Sequence, residues 1–312
     1  MRIEYHRTLI ADRVRIAAFH DALAGVIEKG RSVVVDVGTG TGILAMLAAR
    51  LGAKKVYAYE KSEIGAVAER LIKANKVRNI EVIAARSTEI IDPPRGDIVV
   101  SETLGNYALE EFLVETMNDA RARHLKPGGV LIPGALDQFV CPVIAPRAFD
   151  ELAVWNEIGH GLDFSFARVM SLNNAYVRKF APRELWDEGR SAVRWDQLDF
   201  SQRNRMSRKG LATWRAAHKT TVYGLALWWT AHLTPRVPLS TSPLDAATHW
   251  EQLYFPVLEP MPVERGEQLS ADLRSHSSEE GGTDLAWTLT VASANGKQRS
   301  VQALSLEKGF LP

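Results

Sequence analysis

The segment Val33-Val34-Val35-Asp36-Val37-Gly38-Thr39-Gly40-Thr41-Gly42 constrains this chain most. A short β-branched run reads as a buried strand, and it leads into three glycines within five residues, followed at once by a helical pattern. Without Cβ atoms the backbone can turn tightly there and bring its amides against a ligand. In an open α/β sheet such a turn lies at the carboxyl edge of the strands, where ligands bind. The strand candidates are Ser32 to Val37, Lys55 to Tyr59, Ile80 to Ala84, Asp97 to Ser101 and Val130 to Ile132. Helical patterns separate them at Gly42 to Leu51, Ser62 to Lys76 and Leu109 to His124, and one or two more helices are expected over Leu9 to Glu28. Strand-helix alternation implies a parallel sheet with helices on both faces.

After Ile132-Pro133-Gly134 the rhythm changes. Short β-rich runs dominate: Gln138 to Ile144, Thr221 to His232, Gln252 to Val257, Gln268 to Leu273 and Asp284 to Ala292. They predict an antiparallel sheet or barrel, interrupted by a helical pattern over Phe164 to Leu185. The chain therefore divides into residues 1–133, an α/β unit, and residues 134–312, a β-rich unit. The basic block Gln202 to Lys219 reads as a solvated hairpin, with a substrate-docking element as the alternative.

At 312 residues and 46% apolar content, the chain can bury a real core. Lysine plus arginine number 38 against 37 acids, so no global field favours nucleic acid or an anionic membrane. Cys141 stands alone, which excludes an internal disulfide and a multi-cysteine zinc site, and no metal is expected. A reducing, cytoplasmic setting fits. The opening Met1-Arg2-Ile3-Glu4-Tyr5-His6-Arg7 carries charge where a signal peptide would begin its apolar stretch. The apolar run Thr221 to Leu233 is about half the length of a membrane span and reads as a buried strand.

Glu60 comes twenty residues after Gly40, near the end of the second strand, where an acid can accept ribose hydroxyls. A nicotinamide site would need G-x-G-x-x-G. Counted from Gly38 the third glycine is Ile43; counted from Gly40 it is Ala45, a permitted variant. The V-D-x-G-x-G-x-G form more closely resembles the first motif of class I methyltransferases. At the end of the fourth strand stands Glu102, and Glu111 follows nine residues later across a glycine-containing loop. Two loop acids alone would usually be solvated surface, but Glu102 sits at the carboxyl edge, where a ligand of such a sheet would lie.

The glycine turn, Ser101-Glu102 with Glu111, and Thr248-His249-Trp250, in that order, together resemble the protein arginine methyltransferase family. The stretch His6 to Arg15 fits as well, with Asp12 and Arg15 in the family's positions, and the likeness covers nearly the whole chain. The resemblance implies a Rossmann-like methyltransferase domain followed by a β-barrel, with a helical dimerisation arm at about residues 155–190 and a homodimer. It implies S-adenosylmethionine as cofactor, with S-adenosylhomocysteine as product. Arg15 would hold the methionine carboxylate, and Asp36, Gly38, Thr39, Gly40 and Gly42 would wrap the methionine and ribose. Glu60 would take the ribose hydroxyls, with Ser87 and Thr88 near the adenine. Glu102 and Glu111 would clamp the guanidinium, and His249 would lie against Asp12 beside the substrate. Leu9, Leu104 and Trp250 would shape the pocket.

The chemistry suits those groups. Guanidinium stays protonated to a pKa above about 12, so a pair of ionised carboxylates gives it charge balance and planar acceptors. A carboxylate can then take the released proton, with His249 and Asp12 as a route onward.

Several positions depart from the family pattern. The aromatic-rich helix that folds over the cofactor is expected to be absent or supplied otherwise, since the chain starts just before His6. Thr88 stands where the family has a glutamate, Thr103-Leu104 where it has Trp-Met, and Asn106 where it has an aromatic. With Leu9 and Leu104 at the methyl site, monomethyl or asymmetric products are favoured. Three substrate classes stay open: arginine in a protein or peptide; free arginine or another small guanidino compound, suggested by the reshaped entrance; and none at all, a cofactor-binding scaffold. The intact Glu102 and Glu111 oppose the last. Glu110, beside Glu111, is the alternative second clamp residue.

Overall fold

A computed structural model describes residues 3–310; Met1 and Arg2, part of the charged opening, lie outside the described residues. Two helices, α1 (Ile3–Ala11) and α2 (Arg13–Ala24), precede the first strand. Asp12 separates them, its extended backbone and its side chain capping the Arg15 amide.

The parallel layer then alternates β1 (Val33–Val37), α3 (Ile43–Arg50), β2 (Lys55–Tyr59), α4 (Ile64–Ala74), β3 (Ile80–Ile83), β4 (Gly96–Ser101), α5 (Leu113–Asp119) and β5 (Leu125–Ile132). Val34, Val35, Val99 and Val100 are fully buried, as strands covered on both faces require. Helix α4 turns Ile64, Ala68 and Ile72 inward, one stripe at four-residue spacing. The strand order is β3-β2-β1-β4-β5, all parallel. Strand β1 therefore lies between β2 and β4 at the point where the order reverses. That arrangement gathers the glycine turn, Glu60 and Glu102 at three neighbouring strand ends.

From residue 135 the chain is largely antiparallel. It runs through β6 (Ala135–Val143), α6 (Arg147–Ala153), α7 (Ser165–Leu172), β7 (Tyr176–Arg178), β8 (Val193–Asp199), β9 (Ser207–Arg215), β10 (Thr220–Thr234) and β11 (Val237–Ser240), then β12 (Gln252–Val263), β13 (Gln268–Ser278), β14 (Gly282–Ala292) and β15 (Gln298–Ser305). One sheet has the order β7-β12-β10-β6-β8 with β11 on β10; the other is β15-β14-β13-β9. In β14, Leu285, Trp287, Leu289 and Val291 alternate inward at period two, and Trp287 stacks on Phe255 of β12 to join the sheets.

Two expectations need correction. The helical pattern over Phe164 to Leu185 is α-helix only from Ser165 to Leu172, with a single 3-10 turn at Pro182–Glu184. Asn173 ends the α-helix by bonding back to the Val169 carbonyl, and Tyr176–Arg178 pairs with β12 as a strand. The basic block Gln202 to Lys219 is not a solvated hairpin. Its middle is β9, paired with β13, and it buries Ala212 and Trp214 while Lys209, Leu211 and Arg215 face out. Arg208 is drawn in by Asp196, with Nη2–Oδ1 at 2.6 Å. The strand also carries Gly210 against the Trp195 carbonyl of β8, so that a Cβ there would overlap the oxygen. Gly210→Ala should destabilise the fold by at least ~1–3 kcal/mol in urea unfolding, the cost of overpacking; an unchanged midpoint would contradict this packing.

Candidate active site

A cavity of about 600 Å³ opens at the carboxyl edge of β1, β2 and β4. Its walls include the turn Gly38 to Thr41, Glu60, Ser87 and Thr88, Glu102 and Glu111, together with Arg15, Leu9 and Leu104. One space thus joins the glycine turn to the acidic pair.

The turn is set by its glycines. Gly38 and Gly40 have φ of 77° and 56°, and each packs so closely that a Cβ would press on Thr103 or on the His6 ring. Glu60 braces it from β2. Oε2 accepts the Gly40 amide at 3.0 Å and Oε1 accepts the Ser62 amide and hydroxyl, leaving one of about four acceptor sites open. Asp36 and Gly42, expected to touch the cofactor, are not among the wall residues. Asp36 lies beneath the turn and accepts the Thr39 hydroxyl at 2.5 Å; burial pushes its carboxyl up to about 7. Gly42 caps α3 at φ 82°, and its bare Cα lets α4 approach through Ala68.

The loop from Glu102 to Phe112 is held from the antiparallel half. Trp250 donates its indole N–H to the Leu104 carbonyl at 2.9 Å, and Trp229 of β10 donates to the Gly105 carbonyl at 3.0 Å. The Glu251 amide donates to Asn106 Oδ1 at 2.9 Å, and the Tyr107 hydroxyl meets Ser275 Oγ of β13 at 2.6 Å. Trp250 does not take its expected place on the pocket wall. It is 4% exposed, edge-on to Trp229, because its N–H is spent on the loop. Glu110 turns back to accept the Asn106 amide at 2.8 Å, filling the space a Gly105 side chain would need. Phe112, directly after Glu111, is left-handed at φ 60°, an uncommon conformation for a bulky residue.

The acids differ in their company. Glu102 pairs with Arg15, whose Nε reaches Oε2 at 2.8 Å and whose Nη2 meets the same oxygen. Arg15 Nη1 donates to the Leu9 carbonyl, so two of its five N–H groups have no protein partner. The family resemblance gives Arg15 to the methionine carboxylate; among protein groups its partner is the clamp acid, though it still faces the cavity. Burial, then the charges of Glu102 and Glu110, push the Glu111 carboxyl up to about 7. Behind Glu102, Asp12 Oδ2 accepts the His249 amide at 2.7 Å and its Nδ1–H at 2.8 Å. Burial would raise Asp12, but the amides of Arg15 and His249 and the His249 ring outweigh it and hold the carboxyl below its usual range. Burial lowers His249, outweighing the Asp12 and Glu102 charges and favouring the neutral ring, and its Nε2 is buried with no partner. Neither Asp12 nor His249 is on the cavity wall.

Sequence reasoning missed Tyr5 and His6 of α1, Tyr59, Arg86, Glu115, Thr116 and Glu279, all of which line the cavity. Helix α1 lines the cavity with Tyr5, His6, Leu9 and Ile10, within the stretch that fits the family pattern. The His6 ring packs its Cε1–Nδ1 edge against Gly40, and its Nε2 is buried without a protein partner. An anionic or hydroxyl-bearing ligand with a nucleoside end fits these groups: an acceptor on Glu60, donors on Arg15 and a close backbone turn. S-adenosylmethionine has that chemistry. Among the described residues no group of side chains could hold a metal ion.

The parallel sheet, its glycine turn and the cavity at the switch point define a class I methyltransferase fold. Residues 20–138 match the family model for ribosomal protein L11 methyltransferase, and residues 139–293 match the arginine methyltransferase oligomerization subdomain. Protein arginine N-methyltransferase 6 of Xenopus tropicalis is 29% identical over 96% of this chain and 92% of its own length. Protein arginine N-methyltransferase PRMT10 of Oryza sativa subsp. japonica is 29% identical over 94% of this chain and 87% of its own. The Trypanosoma brucei PRMT1 enzyme-prozyme heterotetrameric complex with AdoHcy shares the fold, with a TM-score of 0.85 at 24% identity and 98% coverage of both chains. The chain belongs to the protein arginine methyltransferase family.

Carboxyl carbon NMR of Glu111 should give a titration midpoint near 7, and Glu102→Gln should move it down by removing a like charge. A midpoint near 4.5 in the unaltered protein would show Glu111 to be solvated.

Proposed function

We propose that the chain is an S-adenosylmethionine-dependent N-methyltransferase acting on the guanidino group of arginine in proteins or peptides. The observation that carries this is the convergence of Glu102 and Glu111 in the cavity lined by the glycine turn and Glu60. The named relatives are protein arginine N-methyltransferases, and the trypanosome structure holds AdoHcy. The reshaped entrance at Thr103 to Asn106 is the motive for free arginine as substrate; the named relatives, all protein arginine methyltransferases, favour protein or peptide arginine instead.

Gly38, Thr39, Gly40, Glu60, Ser87 and Thr88 hold the cofactor, and the two free N–H groups of Arg15 suit its carboxylate. When bound, S-adenosylmethionine supplies an electrophilic methyl group. Glu102 and Glu111 seat the substrate guanidinium and aim one nitrogen, so positioning contributes much of the rate. Glu111, with its carboxyl near 7, is matched to receive the proton that nitrogen loses. His249 and Asp12 act as positioning residues that hold Arg15 and, through it, Glu102. Leu9 and Leu104 face the same space and favour monomethyl or asymmetric products.

A homodimer is the second part of the proposal. The arm region exposes Ile158 (37%), Leu162 (62%), Phe166 (71%) and Val169 (42%), more apolar surface than an isolated arm needs, and it lies within the segment matching the oligomerization subdomain. A cytoplasmic setting fits a chain whose single cysteine, Cys141, is free and buried. Among the described residues no helix is long and apolar enough to cross a membrane.

Glu102→Gln and Glu111→Gln should each lower transfer to an arginine peptide by more than about a hundredfold while S-adenosylhomocysteine still binds; retained turnover in both would remove the clamp. Raising pH ionises Glu111, so kcat/KM for the peptide should rise through about pH 7 with unit slope and then level. Leu162→Asp with Phe166→Asp should halve the mass in sedimentation; an unchanged mass would count against the arm.

A further inference from the structure

We propose that the tip of the β13–β14 hairpin is a latch on the nucleoside end of the cofactor cavity, and that Glu279 sets how fast the cofactor exchanges. This rests on the cofactor placement proposed above.

Of the residues that line the cavity, Glu279 alone comes from the antiparallel half, among the described residues. Its contacts, Arg86 and Glu115, also line the cavity, and each is followed in the chain by further wall residues, Ser87 and Thr88 after the first and Thr116 after the second. The Glu279 carboxylate forms an ion pair with Arg86, and its amide donates to Glu115 Oε2 at 2.7 Å. Two contacts therefore bridge the halves at one rim.

The tip is built to hold Glu279 there. Ser278 pairs with Gly282, so the connection is only Glu279-Glu280-Gly281. The Gly281 amide closes on Ser278 Oγ at 3.0 Å, and Gly282 takes φ 70°. Just before the tip, Ser277 donates to the Leu109 carbonyl and Ser275 meets the Tyr107 hydroxyl. Strand β13 is thus fixed to the loop that carries Glu102 and Glu111, while its end reaches the cofactor rim. Arg86 is 20% exposed and Glu279 52%, so the pair is half-screened and can open without unfolding the ribbon.

The test is stopped-flow displacement of S-adenosylhomocysteine from the full-length protein. Glu279→Ala and Glu279→Gln should speed release about two- to fivefold, the range expected for a partly exposed ion pair. Release from the unaltered protein should quicken between roughly 0.05 and 0.5 M salt as the pair is screened, and release from Glu279→Ala should not. The double exchange Arg86→Glu with Glu279→Arg should return the rate toward the original, whereas Arg86→Glu alone should not. Peptide KM should be unchanged. A lowered melting temperature with unaltered release and salt dependence would overturn the latch and leave Glu279 a structural residue. Failure of the unaltered protein to bind S-adenosylhomocysteine would overturn the cofactor placement, and the latch with it.

Discussion

Two carboxylates kept close together and away from bulk water repel one another, and the fold around the cavity is organised to hold Glu102 and Glu111 there nonetheless. Burial and like charge both disfavour ionisation, and Glu111 shows the result in a carboxyl raised to about 7. Glu102 is paired with Arg15. The pair therefore contains one acid already balanced by a cation and one that still wants one. A planar, permanently charged guanidinium answers that need better than a neutral ligand or a compact ammonium would.

Holding the acids requires a loop that cannot relax. Neither half of the molecule does this alone. Strand β4 delivers Glu102, but Trp229, Trp250 and Glu251 grip residues 104, 105 and 106 from the other side, and Ser275 and Ser277 grip Tyr107 and Leu109. Each of the two indole bonds satisfies a buried carbonyl that would otherwise cost about 1–3 kcal/mol. The left-handed Phe112 is tolerated because the neighbouring backbone is fixed at so many points. The antiparallel half thus acts as a brace for the acidic loop.

Much of this is legible in the sequence where a local rule applies. The V-D-x-G-x-G-x-G run marks β1 and its turn, and Lys55 to Tyr59 is placed to the residue, because buried strands and glycine turns are local signals. The acidic pair is visible because the end of a parallel strand fixes where the next residue, Glu102, must sit. Illegible are features that depend on the opposite half. Trp250 reads as a pocket aromatic until its N–H is seen bonded to Leu104, and Trp229 lies in a hydrophobic run with nothing to single it out. Glu279 belongs to a hairpin turn 177 residues from Glu102, and no spacing rule brings them together. The basic stretch around Arg208 looks solvated because its partner, Asp196, lies on a separate strand. Asp36 and Gly42 read as ligand contacts, yet they support the turn from beneath, a distinction that needs the packing of Thr39 and Ala68.

The most direct measurement is the number of protons released when an arginine peptide binds the protein saturated with S-adenosylhomocysteine, read by calorimetry in buffers of different ionisation enthalpy. With Glu111 titrating near 7 in the free site and ionised once a guanidinium is seated, about half a proton should leave per site at pH 7, falling toward none above about pH 8.5. Peptide binding at pH 7 with no proton released would contradict an acidic pair made reluctant to ionise by burial and mutual repulsion.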